Sequence, residues 1–236
     1  MRINAVIVAL VVLYFFTSFK SYKENQPPKL YSMITQYIGE AEKDFDKIPA
    51  ERKIQLQKIT AYLQESLAKD HKANLVFICT HNSRRSHMAQ LWAYAAGEYY
   101  GINHVASYSG GTEVTAFNPN AVKALRKAGF QITVKEEGTN PHYAVKYSEE
   151  LPALIAYSKK YTDSANPSSH FAAVMTCSHA DVNCPVVFGA SLKISTPYED
   201  PKDADGKPNQ EAVYDERCKQ IATELLYAFS LVKQQN

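Results

Sequence analysis

Cys79 opens the stretch Cys79-Thr80-His81-Asn82-Ser83-Arg84-Arg85-Ser86, in which five residues separate the cysteine from Arg85 and Ser86 follows. The apolar run Leu75–Ile78 precedes it, and an amphipathic pattern at helical spacing begins at Ser86. A turn between a strand and a helix can curl its backbone N–H groups around an oxyanion, with the helix N-terminus adding positive potential. Arg85 can grip two oxyanion oxygens at once. A thiol at the floor of such a cup is stabilised as thiolate by the same dipoles that bind the anion. The pattern therefore points to attack by sulfur on a tetrahedral oxyanion, with Cys79 as nucleophile and Arg85 as clamp. Thr80, His81, Asn82, Ser83, Arg84 and Ser86 complete the oxyanion-binding loop. The competing reading is a buried strand-end cysteine beside a surface arginine pair. The turn position and the two islands below weigh against it.

The second island, Val174-Met175-Thr176-Cys177-Ser178-His179-Ala180-Asp181-Val182-Asn183-Cys184-Pro185, places a thiol at the end of another apolar run and a second thiol seven residues on. The third is Tyr198-Glu199-Asp200-Pro201. Sites in open α/β sheets gather outside the carboxyl ends of the strands, so loops following separate strands can meet. The polar segment between Cys177 and Cys184 reads as a loop. The fourth cysteine, Cys218, falls in a helical pattern and reads as structural. No Cys-x-x-Cys pair occurs, so no metal site is expected. A chain of 236 residues builds its own core, so the four cysteines do not read as a disulfide framework. His87 and His179 read as polar surface residues.

The elements that must position these groups are legible as alternating strands and helices. Strands are predicted at Leu75–Ile78, His104–Ser109, His170–Thr176 and Ala190–Ile194. Helices are predicted over 86–100, Pro119–Ala128 and Glu211–Val232, with Asn118-Pro119 as a helix start and Gly129 as its stop. Phe130–Val134 reads as extended. Residues 135–169 read as a loop-rich insertion with one short strand, at Tyr143–Tyr147 or at Ala153–Tyr157. Such alternation argues for a parallel sheet covered on both faces. Residues 30–69 read as two helices broken at Pro49, with Leu30, Ile34, Tyr37 and Ile38 on one face of the first. They carry no evident chemistry and are expected to pack on the domain or on a partner. The chain is thus divided into a hydrophobic segment and linker (1–29), a helical hairpin (30–72) and a catalytic domain (73–236). With 45% apolar and 21% charged residues and a net charge of +2, it reads as globular, with no nucleic-acid partner.

The uninterrupted apolar run Ala5–Phe16 is 12 residues long, suited to a signal-peptide core; counted from Ile3 to Phe19 it reaches 17, the lower edge for a membrane span. No small-x-small cleavage site follows. Lys20, Lys23 and Lys29 lean towards a cytoplasmic side. An uncleaved membrane anchor with a cytoplasmic catalytic domain is the first expectation and export by a signal peptide the second. A true start at Met33 is the third, and a buried N-terminal helix is the remaining alternative.

Together the islands resemble the low-molecular-weight protein tyrosine phosphatase superfamily, and within it most closely the thioredoxin-coupled arsenate reductases. The resemblance spans about residues 74–232. It rests on Cys79-Thr80-x-Asn82-Ser83-x-Arg85-Ser86, on Ser109-Gly110-Gly111-Thr112-Glu113 with Asn118-Pro119, on Cys177-x6-Cys184-Pro185, and on Asp200-Pro201. It implies a three-layer α-β-α fold with a parallel four-stranded sheet of the phosphotyrosine protein phosphatase I type. It also implies Asp200 as general acid, Ser86 as stabiliser of the Cys79 thiolate and Asn82 as shaper of the loop. In a phosphatase the Cys79 adduct is hydrolysed by water. In a reductase Cys177 attacks it, Cys184 resolves the disulfide, and thioredoxin or another thiol reductant regenerates the pair, with no bound cofactor.

This chain departs from the family at three places. Arg84 stands where a second loop cysteine is common, adding positive charge near the anion. His81 stands where the reductases carry glycine and is expected to point outward, the alternative being that it tunes Cys79. No aromatic residue follows Asp200-Pro201 to stack on a phosphotyrosine, though Tyr143 or Tyr147 could serve from the insertion. An arsenate reductase is the first expectation. A phosphomonoesterase or tyrosine phosphatase is the second, and a non-catalytic oxyanion-binding module the third.

Overall fold

Leu75, Val76, Phe77 and Ile78 are each exposed by 1% or less, and their side chains alternate between two separate cores. A strand buried on both faces reads as a continuous apolar run, which is how this one appears in the sequence. The computed structural model describes residues 30–184 and 186–233. The segment expected to be an anchor or signal, residues 1–29, lies outside them, as does Pro185. The chain runs through α1 (Ser32–Glu42), α2 (Ala50–Asp70), β1 (Ala73–Cys79), α3 (Arg85–Tyr99), β2 (Val105–Gly111), α4 (Pro119–Lys127), β3 (Gln131–Glu136), β4 (His142–Lys146), β5 (Leu154–Ala156), β6 (Phe171–Met175), α5 (Ser178–Asn183), β7 (Ala190–Ser195) and α6 (Gln210–Ser230).

The main sheet has the order β2-β1-β6-β7 and is parallel throughout, with helices on both faces, as the resemblance implies. Cys79 lies opposite Gly111, and Ile78 opposite Met175, so the chain leaves β1, β2 and β6 at the same edge. Backbone bonds extend the ladder beyond the strands: Thr176 N–H donates to Ile78 O, and Tyr198 N–H to Thr176 O. The segments carrying Cys79, Cys177 and Asp200 thereby converge. One face is thick, with α3 and α6 against the sheet. The other is thin, covered by α5 together with Tyr108, Tyr161 and Val187.

Both N-terminal helices lie on α6. Ile34 and Ile38 of α1 and Leu56, Ile59 and Leu63 of α2 are fully buried and belong to the same core as α3 and α6. Tyr37 stacks on Trp92 at 5.0 Å between ring centroids. Thr60 Oγ1 donates to Ala228 O, and Arg52 meets Glu224 in a buried ion pair. No helix among the described residues is long and apolar enough to cross a membrane.

The segment read as extended at Phe130–Val134 is strand β3, and with two strands from the stretch 135–169, read as a loop-rich insertion holding one, it makes a second sheet, antiparallel, of order β3-β4-β5. Both candidate strands form, each paired to β4 or as β4, because Ile132, Tyr143, Val145 and Ala156 bury one side of the sheet on the main core. Tyr143 and Tyr147 are accordingly core residues, 8% and 4% exposed, and neither is presented to a substrate. A second difference concerns the polar segment between Cys177 and Cys184. It is the helix α5 and not a loop, since Cys177 Sγ accepts from Ala180 N–H, Ala180 is fully buried, and Asp181 is paired with Lys193 of β7.

Candidate active site

The Cys79 loop is held from below by β2 and from the side by the segment that follows β5. Glu113 N–H donates to Thr80 O, and Thr112 N–H to Cys79 O. The approach is so close that a Cβ on Gly111 would stand 2.7 Å from both Asn82 N and Thr80 O. Only glycine fits there. Asn82 has φ +43°, a left-handed conformation that asparagine tolerates better than most residues. Its side-chain amide is fixed at both ends: Oδ1 accepts from Lys159 N–H at 2.9 Å, and Nδ2 donates to Ser86 Oγ at 2.9 Å. A hydroxyl has a single proton to give. Because Ser86 Oγ already accepts from Asn82, its own proton is available to Cys79 Sγ, 3.1 Å away.

Arg85 and Arg84 both turn to Asp200. Arg85 Nη2 donates to Asp200 Oδ2 at 2.7 Å, and Arg85 Nη1 to Tyr198 O at 2.8 Å. Arg84 Nη1 lies 3.4 Å from Asp200 Oδ1. The two arginine side chains are 10% and 11% exposed. Two buried guanidiniums thus share one carboxylate, and Nε of each is buried without a partner. Unmatched buried charge is costly, so the pocket favours a further anion. Arg84, expected in the cup, is thus placed on Asp200. Ser83 Oγ donates to Ala116 O and ties the loop to the start of α4.

His81 turns outward and lies 3.3 Å from Glu113 of the loop after β2. Its carbonyl accepts from Thr115 Oγ1 and Ser158 Oγ. His87 differs from the surface role expected of it. It is fully buried, stacked on Phe117 at 4.0 Å, and burial holds its imidazole well below the usual range and neutral. Lys159 is also buried, at 4% exposure, and burial pushes its ammonium down to about 8. Nothing in the sequence singles out Lys159, since its contact with Asn82 uses its backbone N–H.

Cys177 is 1% exposed and lies beside the same loop: its Sγ is 3.5 Å from Thr80 Oγ1, the residue next to Cys79. Thr80 Oγ1 is in turn 3.2 Å from His179 Nδ1. His179 is exposed, as read from sequence, yet one side of its ring is engaged in the site. Cys184 ends α5 and is half-buried; Val182, Val186 and Phe188, within four residues of it in the sequence, are 76%, 64% and 79% exposed. All four cysteines are free thiols. Cys218 is deeply buried against Trp92 Nε1, and desolvation pushes its thiol up to about 12. Among the described residues no three His, Cys, Asp or Glu side chains gather to hold a metal.

The family profile described as low molecular weight phosphotyrosine protein phosphatase matches residues 74–155. An arsenate reductase of Brevibacillus brevis is 30% identical over 132 residues, covering 56% of this chain and 79% of that protein. The chain belongs to the low-molecular-weight phosphotyrosine protein phosphatase superfamily. Within that superfamily it stands close to the arsenate reductases: another, from Halalkalibacterium halodurans, is 27% identical over 158 residues, covering 65% of this chain and 95% of that one. Among solved structures, a mutant of YwlE from Bacillus subtilis aligns over 69% of this chain and 100% of that chain, at 18% identity and a TM-score of 0.46. As a member of the superfamily the chain is a cysteine-based enzyme of the phosphatase and arsenate reductase class, acting on phosphate-like oxyanions.

Proposed function

We propose that the protein is a thiol-dependent arsenate reductase. The observation that carries this reading is the position of Cys177 Sγ, 3.5 Å from Thr80 Oγ1 and so one residue from Cys79, with a third thiol, Cys184, at the far end of α5. In the first step the Cys79 thiolate, supported by Ser86 Oγ–H, attacks arsenic(V) of arsenate. Arg85 holds the oxyanion and Asp200 protonates the departing oxygen. The Cys177 thiolate then attacks Cys79 Sγ. The new S–S bond forms as the S–As electron pair passes to arsenic, which leaves as arsenite, arsenic(III). Cys184 attacks Cys177, freeing the Cys79 thiolate and leaving a Cys177–Cys184 disulfide for a dithiol reductant such as thioredoxin. The exposed Val182, Val186 and Phe188, close to Cys184 in the sequence, are apolar side chains that such a reductant would meet. The cycle requires a reducing compartment.

Closing that disulfide requires α5 to open. The six residues of α5 stand between the two cysteines, and seven helical steps separate them by about 10 Å, whereas bridged cysteines have Cα atoms roughly 4.4–6.8 Å apart. A second reading is favoured by the same geometry. With α5 closed, the Cys79–Arg85–Asp200 group is sufficient for phosphomonoester hydrolysis through a phosphocysteine that water cleaves. Cys177→Ser distinguishes the two: arsenite production should cease while aryl-phosphate hydrolysis persists. Arsenate reduction surviving that substitution rules out the relay, and either activity surviving Cys79→Ser rules out both readings.

A further inference from the structure

We propose that His179 accepts the proton of Cys177 through the hydroxyl of Thr80. The inference rests on the reductase reading for its purpose and on three atoms for its geometry: Cys177 Sγ, Thr80 Oγ1 at 3.5 Å, and His179 Nδ1 a further 3.2 Å on. The Thr80 hydroxyl has one proton and two lone pairs, so a line of hydrogen bonds through it has two self-consistent states. In the first, Cys177 S–H donates to Thr80 Oγ1, whose own proton is donated to a neutral His179 Nδ1. In the second, an imidazolium Nδ1–H donates to Thr80 Oγ1, which donates to a Cys177 thiolate. Passing from one to the other moves two protons one bond each and no heavy atom. The hydroxyl ends with the single proton it began with, no electrons are gained or lost, and the product is a thiolate paired with an imidazolium.

The surroundings suit such a transfer. Cys177 Sγ also accepts from Ala180 N–H at 3.4 Å, so a second donor is already aimed at the sulfur. His179 is exposed on α5, so the proton it collects can pass to water. No carboxylate pairs with His179 among the described residues, and Asn183 Nδ2 binds its carbonyl rather than its ring. An activated thiol beside a base is the arrangement that nucleophilic cysteine chemistry requires. Cys79 has its own support in Ser86. His179 therefore gives the second thiol a proton acceptor separate from that of the first, and it acts through Thr80 rather than on the substrate.

The test uses the full chain with Cys184→Ser, so that a single turnover stops at the Cys79–Cys177 disulfide. Removal of a general base typically costs ~10²–10⁴-fold. His179→Ala should therefore slow arsenite release by about 10²-fold, and free imidazole should restore part of the rate, which a purely structural role would not allow. Thr80→Ser, which keeps the hydroxyl, should retain the rate that Thr80→Val loses. A second arm needs no arsenate: in a Cys79→Ser, Cys184→Ser, Cys218→Ser chain, where Cys177 is the sole thiol, its attack on a small aromatic disulfide should show the same loss and the same imidazole rescue. If the Cys184→Ser chain releases no arsenite, the reductase reading fails and the disulfide arm alone decides the role of His179. If His179→Ala is as fast as its parent in the second arm, or slow and not rescued, the assignment is overturned.

Discussion

Asp200 Oδ2 lies 2.7 Å from Arg85 Nη2, so the carboxylate expected to act as acid occupies the fork expected to grip the substrate. Arg84, 3.4 Å from the other oxygen, offers Asp200 a second partner when Arg85 turns to an oxyanion. Asp200→Asn keeps the shape and removes the charge. Turnover on substrates with poor leaving groups should fall by ~10²–10⁴-fold. Inorganic phosphate should bind several-fold more tightly because its tethered competitor is gone. Steady-state rates on two aryl phosphates of different leaving-group acidity, with phosphate as inhibitor, measure both. Unaltered turnover together with unaltered phosphate inhibition excludes this role for Asp200.

Asn82 has two duties that can be separated, its left-handed backbone and its amide. Asn82→Gly preserves the first and removes the second. Ser86 Oγ then loses its donor, Lys159 N–H its acceptor, and Cys79 a properly aimed proton. Activity should drop about tenfold or more for a change in unfolding free energy of about 1–3 kcal/mol, the range for buried hydrogen bonds. Turnover and thermal unfolding of the same preparation decide whether the loss is local.

Asp181 ties α5 to β7 through Lys193 Nζ and Ser195 Oγ. Asp181→Asn should make opening of α5 easier by about 1–2 kcal/mol. Hydrogen exchange at the amides of Ala180 to Cys184 should accelerate by about tenfold or more, and the Cys177–Cys184 disulfide should form faster under mild oxidation. Unchanged exchange would show that Ala180 packing, and not the ion pair, holds the helix down.

Lys159 gives the molecule a pH signature. Its folded value, lowered by burial to about 8, lies below the ordinary 10.5, so the unfolded chain binds more protons between those limits. Stability contributed at this site therefore rises as pH climbs from about 8 to 10.5 and is flat below. Against a Lys159→Met variant, which removes the buried charge, the wild-type chain should gain on the order of 3 kcal/mol across that window. Chemical denaturation of both proteins at several alkaline pH values reads the difference. A constant gap would show that Lys159 titrates normally.

The main sheet is legible in sequence because its strands are buried on both faces: Leu75–Ile78 and Phe171–Met175 have no polar residue to disguise them. The Cys79–Ser86 turn is legible because its cysteine, arginine and serine stand at a fixed spacing between an apolar strand and a helix. Two kinds of feature escape. The helix α5 is six residues of polar sequence, with a single buried residue, Ala180, and an ion pair to a strand that follows it; no local pattern marks such a helix. The β3-β4-β5 sheet is short, and Gly138 and Asn140-Pro141 between β3 and β4 read as loop. Its pairing depends on contacts with the main core. His87 and His179 show the same limit. Both read as surface histidines, and only tertiary packing distinguishes the one beneath Phe117 from the one at Thr80.

The N-terminal helices carry a practical consequence for anyone preparing this protein. The family profile begins at residue 74, which invites an expression boundary just upstream. Such a cut would strip α6 of Ile34, Ile38, Leu56, Ile59 and Leu63 and leave an oily flank facing solvent. It would also take Arg52 away from Glu224, stranding a carboxylate that is almost wholly buried, and away from the ring of Tyr198, over which the guanidinium sits at 4.6 Å. Tyr198 is the residue whose carbonyl steadies Arg85. A shortened version would thus enter the assay weakened both in solubility and around Arg85, and its poor turnover would say little about the intact chain.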